Sequence, residues 1–281
     1  MATTVAALHV YPVKGLKGVD VREARATARG LEYDRRFMIV DESGMFRTQR
    51  ENPKMATVWT DLVDGELVLS APDVGEVSVP LIPTGPATKR VTVWRSTVDA
   101  APVSEDADRF LSDYLGMPCR LMYMPDTTRR LSNPDYAGSD KLVSFADGYA
   151  YLLIGEASLA DLNKRMATRG GRPLPMNRFR PSIVLAGSDA YAEDTWKEAR
   201  VGSARLGAAK PCGRCQVTTT DQSTGEVMGP EPLATLSTYR ESSEFGVMFG
   251  MNYVTLESGI IRVGDAVIAT TADGRMRPEG R

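Results

Sequence analysis

The sequence predicts an α+β chain that is mostly β, a β-barrel or sandwich with attached helices rather than a doubly wound sheet. Short strand-like runs recur along most of the 281 residues, turn chemistry rich in Gly and Asp separates them, and no strand–helix alternation persists. That length fits one large or two modest domains, and an apolar content of 42% supplies their cores.

Taken in order, the first strand-like stretch is "VAALHVYPVKG", in which His9, the single histidine, sits between Leu8 and Val10 as a packed or surface strand residue. "RRFMIVDESGMFRTQR" reads as two strand-like runs around Asp41-Glu42-Ser43-Gly44, and "DLVDGELVLSAP" as a hairpin on Asp64-Gly65. "GEVSVPLI" and "RVTVWRSTVDA" continue the pattern. The first helix is expected after Ser104, which can cap it. Glu105 and Asp106 favour its positive N-terminal end, and Phe110, Leu111, Tyr114 and Leu115 recur at helical spacing before Gly116. A domain boundary falls near residue 120. Residues 126–141 read as a long surface loop, a kind of segment that is often functional. "YAYLLIGEASLADLNKRMATRGG" is a strand followed by a helix with Leu159, Leu162 and Met166 as its buried stripe, stopped by Gly170-Gly171. Five further strand-like segments follow: "RPSIVLAG", "EARVGSARLGAAK", "CQVTTTD", "MNYVTLE" and "GIIRVGDAVIA".

Composition excludes several function classes. With 34 Lys+Arg against 36 Asp+Glu, nothing points to a nucleic-acid partner. No apolar run approaches the roughly 18–20 residues of a membrane helix, so no membrane partner is expected. Three cysteines make no disulfide framework, and the N-terminus lacks a signal-peptide layout; a reducing, cytoplasmic setting is expected. One histidine cannot build an H-E-x-x-H zinc site or a two-histidine iron site. No P-loop or G-x-G-x-x-G is present.

Chemistry concentrates in "KPCGRCQVTTTD", which spaces Cys212 and Cys215 as C-x-x-C. A structural zinc site would need every other soft donor in the chain, Cys119 and His9 included. A thioredoxin-like dithiol opens a helix, whereas this motif runs into a β-branched stretch that reads as a strand. The thiols can equally be buried apolar fillers. Against that reading, Lys210 and Arg214 flank them, and nearby cations favour the thiolate that binds metal or attacks. Lys14 before Gly15, Arg35 and Arg36 before "FMIV", and Arg178 and Arg180 before "PSIVLAG" add further cations at strand mouths, where a snorkelling edge residue is the plain alternative.

The ordered series "YPVKGLKGV", "GLEYDRRFMIVD", "FADGYAYLLIGEASLADLN", "NRFRPSIVLAG", "YAEDTWKEARVG", "PCGRCQVTTTDQSTGEV", "EPLATLSTYR" and "FGMNYVTLESGIIRVGD" resembles the MOSC proteins with an N-terminal MOSC β-barrel domain. That group includes the mitochondrial amidoxime-reducing components and bacterial YcbX-type proteins. The resemblance runs from about Val5 to Ala269. It implies an N-terminal β-barrel-like domain over residues 1–120 followed by a MOSC β-barrel domain with attached helices over 121–281.

It further implies a molybdenum cofactor (Mo-molybdopterin) enzyme in which one cysteine completes the metal's coordination. The second cysteine of the motif, Cys215, carries over as metal ligand and catalytic residue, in keeping with thiolate as a soft ligand. Cys212 is read as a packing or outer neighbour. By motif position the cofactor contacts are Lys14, Gly15, Arg36, Gly148, Tyr149, Arg180, Gly213, Arg214 and Asn252, with Arg35 the near-equal alternative to Arg36. Their cations suit the pterin's anionic phosphate.

Two departures bear on partners. YcbX-type proteins often continue into a [2Fe–2S] domain, but no cysteine follows Cys215, and such a cluster needs four ligands. A separate electron-donor protein of ferredoxin, flavodoxin or reductase type is therefore expected. The targeting and membrane segment of the mitochondrial members is not seen. The expected reaction is reduction of small N-hydroxylated compounds, namely amidoximes, hydroxylamines and N-hydroxylated bases. The alternatives are a molybdenum cofactor or sulfur carrier that uses Cys215 without turnover, and a binding module for another phosphorylated ligand.

Overall fold

The computed structural model describes residues 2–84 and 88–271. Its largest sheet has nine strands, among them, in spatial order, Val267–Thr271, Trp196–Val201, Ala204–Gly213, Gly246–Glu257, Tyr151–Gly155, Ile183–Ala186, Thr4–Val10 and Val19–Val21. Only the Tyr151–Gly155 and Ile183–Ala186 pair is parallel in that series. Near its far end, Thr4 bridges Ala266, Val5 donates to Asp265 O at 2.9 Å and Val267 donates to Thr3 O at 2.8 Å. The sheet thus closes on itself as a barrel, which removes the exposed edges a flat sheet would leave.

Inside it lie Val5, Leu8, Tyr151, Leu153, Trp196, Leu206 and Tyr253, all buried. Side chains of this size stabilise by about 1.5–3 kcal/mol each on full burial. The mostly β fold with few helices is the class expected from the sequence.

A second body is built from a five-stranded sheet ordered Lys89–Val93, Ser96–Pro102, Arg120–Tyr123, Phe37–Val40 and Val13–Lys14, with the meander Trp59–Val63, Glu66–Ala71 and Gly75–Pro80 beside it. Helix Glu105–Leu115 covers its core of Leu16, Phe37, Leu67, Leu111 and Leu121. The hydroxyl of Ser104 caps that helix from the Ala107 amide at 3.4 Å, and Gly116 ends it in the left-handed region, as expected. Val63 pairs with Glu66 across Asp64-Gly65, the expected hairpin. Helix Glu156–Thr168 lays Leu162 and Met166 into a smaller core with Phe179 and Phe249; Leu159 is only half-buried there.

Pairing crosses the boundary expected near residue 120. Thr4–Val10 and Val19–Val21 run in the large sheet, and Glu23–Thr27 pairs with Gly259–Arg262. His9 is a strand residue whose Nδ1 meets Asp20 Oδ1 at 2.6 Å.

Several segments differ from expectation: "EARVGSARLGAAK" and "GIIRVGDAVIA", each read as one strand-like segment, are each two strands, Trp196–Val201 with Ala204–Gly213 and Gly259–Arg262 with Val267–Thr271. Met45 and Phe46 form only isolated bridges, because Asp41 Oδ1 draws in the amides of Ser43 and Met45 and curls the chain. "RVTVWRSTVDA" is a hairpin turning at Trp94, whose φ is +55°. The 126–141 loop carries one helical turn, Pro134–Ala137, with Asn133 Oδ1 accepting from the Asp135 amide. "QVTTTD", expected as a strand, is a 3₁₀ turn over Gln216–Thr219: the hydroxyls of Thr218 and Thr219 bond back to the carbonyls of Cys215 and Gln216, which offsets their β preference. No helix among the described residues is long and apolar enough to cross a membrane.

Candidate functional site

One cleft of about 170 Å³ lies where the ends of the two sheets meet. It is lined by Lys14, Gly15, Gly148, Tyr149, Arg180, Cys212, Gly213, Arg214, Cys215 and Asn252, residues far apart in sequence. Arg36 does not line it. Its guanidinium turns outward to Tyr123 Oη at 3.0 Å, to Asp126 Oδ1 at 2.8 Å and to the Met124 carbonyl. Arg35, the alternative to Arg36, stands in the cleft instead, so the geometry favours it. The cause is backbone conformation. Arg35 has φ +49°, a left-handed value that reverses the side-chain direction expected from a regular approach to the strand. It is held there by its own amide on Tyr11 O at 2.7 Å and by the Phe145 amide on its carbonyl at 2.9 Å. Arg180, at φ +54°, is a second non-glycine residue in this region on the cleft wall, and such residues concentrate at functional sites.

Tyr11 connects the two arginines. Its ring lies 4.1 Å from the Arg35 guanidinium carbon and 4.3 Å from that of Arg180. Burial pushes the Tyr11 phenol up to about 12, so it stays neutral and keeps its π face for both cations. Burial also lowers Arg180 to about 10, which leaves it charged at neutral pH. Arg35 pairs with the buried carboxylate of Asp34 at 2.5 Å and donates to the Arg180 carbonyl at 3.2 Å. Burial raises the Asp34 carboxyl, and Arg35 and the Tyr11 amide offset that only in part.

Also on the cleft wall, Lys14 ends the strand Val13–Lys14 and forms an ion pair with Asp147, which also accepts from Trp94 Nε1 at 3.0 Å. Desolvation lowers the lysine. For Asp147, enclosure acts to raise the carboxyl but is outweighed by Lys14, Trp94 and Arg35, which hold it well below the usual carboxylate range. The Asp147 side chain is 74% exposed by area, so the ion pair is solvent-screened and its contribution to stability is small. Gly15 adopts φ +85°, and a Cβ there would lie 2.8 Å from the Met55 methyl.

The loop carrying Asp147, Gly148 and Tyr149 is held by Arg130, which is 6% exposed and donates to the carbonyls of Ser144, Ala146 and Asp147 at 2.7, 2.6 and 2.9 Å. Arg130→Met leaves three carbonyls without their donor. It is expected to cost about 1–3 kcal/mol, read as a lower urea midpoint at unchanged slope.

The two thiols are not equivalent. Cys212 Sγ accepts from Arg214 Nη1 at 2.9 Å, and Arg214 also donates to the Phe179 carbonyl at 2.7 Å. Cys215 lies at the entry to the 3₁₀ turn, is not in a disulfide, and its sulfur makes no hydrogen bond among the described residues. Gly213 between them admits no side chain, since a Cβ would sit 2.4 Å from the Phe245 carbonyl oxygen. Arg178, flagged beside Arg180, does not line the cleft; it is buried and pairs with Asp221 Oδ2 at 2.9 Å, fixing the segment after Cys215.

Arg47, Thr48, Gln49, Arg50 and Trp94 also line the cleft, and sequence reasoning missed them. The cationic pair of "FRTQR" was a usable signal. Trp94 was hidden inside what read as an unbroken strand.

The MOSC N-terminal beta barrel domain family matches residues 2–118, and the MOSC domain family matches residues 140–268. The protein named mitochondrial amidoxime-reducing component 1 of Mus musculus is 35% identical, covering 94% of this chain and 81% of that protein. The protein of the same name from Homo sapiens is 33% identical over 94% and 82%, and mitochondrial amidoxime reducing component 2 of Bos taurus is 32% identical over the same shares.

Proposed function

Because the chain belongs to the MOSC protein family that includes the mitochondrial amidoxime-reducing components, we propose that its cleft holds a molybdenum cofactor and reduces N-hydroxylated compounds. The observation that carries this reading is one thiol with no hydrogen-bond partner among the described residues, Cys215, in the same cavity as Lys14, Arg35, Arg180 and Arg214.

These residues fit the group. A soft thiolate suits a sulfur-bound metal, and the four cations suit a phosphate. Arg214 Nε is buried without a partner, and two arginines are held in left-handed backbone conformations facing the space. When bound, the cofactor supplies the removal of an oxygen atom from the N–O group, with electrons returned by a separate donor protein.

The chain's own residues do the remaining work. Cys215 ligates the metal, and the hydrogen bond from Arg214 engages Cys212 so that the two sulfurs do not compete as equals. Arg35 and Arg180, ordered against Tyr11, present guanidinium donors without reorganisation on binding. Gly213 lets the wall approach closely, and Asn252, tied to the Pro211 carbonyl at 3.4 Å, steadies the strand that leads to the thiols.

Elemental analysis of the purified protein, with turnover of benzamidoxime, tests the reading. Stoichiometric molybdenum with activity supports it; sulfane sulfur without metal favours a sulfur carrier instead. The arginine assignment has its own test. Arg35→Ala is expected to lower molybdenum and pterin content about tenfold, the scale of one charge-assisted hydrogen bond. Arg36→Ala, which removes a side chain directed away from the cleft, is expected to retain both; the opposite order would restore Arg36 as the contact.

A further inference from the structure

Lys210, which is not among the cofactor contacts named above, is held among three aromatic rings. Its Nζ lies 5.1 Å from the ring centre of Tyr136, 5.4 Å from that of Phe245 and 5.9 Å from that of Tyr149. Each is within the range of a cation–π contact. A half-buried lysine ordinarily reaches for a carboxylate or for water, yet Lys210 makes no ion pair among the described residues. The nearby carboxylate of Glu244 is engaged elsewhere, accepting from the Tyr136 hydroxyl at 2.7 Å.

The cage is built rather than incidental. Tyr136 and Phe245 meet edge-on at 5.8 Å, and the Phe245 carbonyl packs directly over Gly213. Tyr149 belongs both to the cage and to the cleft wall. Burial, with Tyr136 and Asp135 nearby, pushes the Tyr149 phenol up to about 12, so its ring stays neutral. Lys210 itself lies two residues before Cys212, on the strand that delivers the thiols. Aromatic faces and an ammonium that makes no ion pair among the described residues are therefore presented together beside Tyr149, which lines the same cleft as Cys215.

We propose that Tyr136, Tyr149, Phe245 and Lys210 form a specificity rim that selects flat N-hydroxylated substrates with an anionic or carbonyl acceptor on the ring edge remote from the N–O group. The proposal rests on the reductase reading. Aromatic faces recognise a planar ring by stacking, and the ammonium supplies a charge-assisted hydrogen bond to the acceptor. The same charge disfavours cationic ligands, including the amidinium ions that amidoxime reduction yields, and so assists product departure.

The test uses the full-length, molybdenum-loaded protein and two probes, benzamidoxime and 4-carboxybenzamidoxime. Wild type is expected to favour the carboxylated probe in kcat/KM by about tenfold, the scale of one charge-assisted hydrogen bond. Lys210→Met should bring that ratio close to one, and Lys210→Arg should keep most of it. Phe245→Leu should raise KM for both probes. An unchanged ratio in Lys210→Met would overturn the proposal.

Calorimetric binding of 4-carboxybenzamidoxime to the same proteins separates this outcome from failure of the reductase reading. If neither probe is reduced, that reading falls. The rim then stands if Lys210→Met weakens binding about tenfold and falls if it does not.

Discussion

Cys215→Ala is expected to abolish N-reduction and to lower molybdenum content at least tenfold, while leaving the fold intact. Loss of an outer hydrogen-bonding partner typically lowers metal affinity about 10–100-fold, and loss of the ligating sulfur itself should do no less. The substitution is small and the residue is only half-buried, so the thermal midpoint should move little. Cys212→Ala is the paired control. It removes a sulfur already engaged by Arg214 and is expected to reduce activity without removing the metal. Elemental analysis and benzamidoxime turnover on both variants check this. A Cys215→Ala protein that is active and fully loaded would refute the ligand assignment.

Asp34→Ala should have the largest effect on stability among the cleft's supporting residues. Asp34 is 3% exposed and accepts from the Tyr11 amide at 2.8 Å and from Arg35 Nη1 at 2.5 Å. Its removal would leave a guanidinium that is only 14% exposed with the Tyr11 ring and two long hydrogen bonds, to Ser182 Oγ at 3.4 Å and the Arg180 carbonyl at 3.2 Å. Breaking a buried pair from one side costs about 3–5 kcal/mol, a large share of the roughly 5–15 kcal/mol that holds a domain folded. Asp34→Asn, which keeps an acceptor for the Tyr11 amide, should lose less. Urea unfolding of the two variants orders them, and equal midpoints would place the effect elsewhere.

Much of the fold was legible because local chemistry decides it. The Asp64-Gly65 hairpin, the Ser104 cap and the Gly116 stop depend on a few adjacent atoms, and each forms where the residue types place it. "QVTTTD" misled because β-branched residues favour strands only when a neighbouring strand is available; here threonine hydroxyls satisfy local carbonyls instead. That turn also removes the reason first given against a dithiol. The asymmetry between the sulfurs rests instead on the Arg214 contact.

The exchange of Arg36 for Arg35 has a different origin. Motif order places a residue along the chain, but a left-handed φ at a non-glycine position is imposed by tertiary hydrogen bonds, donated to the Tyr11 carbonyl and accepted from the Phe145 amide, that no local pattern encodes. The Lys210 cage was invisible for the same reason, since its rings come from residues 136, 149 and 245.

The barrel closure has a consequence for synthesis on the ribosome. The first strand, Thr4–Val10, waits for Ile183–Ala186 before it has its main partner, and the seam with Ala266 closes only when nearly the whole chain has emerged. At about 5–20 residues per second that first interval lasts on the order of 10–40 s. During this time an apolar N-terminal segment is outside the tunnel with only the short Val19–Val21 strand to pair with. The nascent chain is therefore a natural client for chaperones that bind early apolar segments, and stalling it before residue 183 should leave the first strand open to protease.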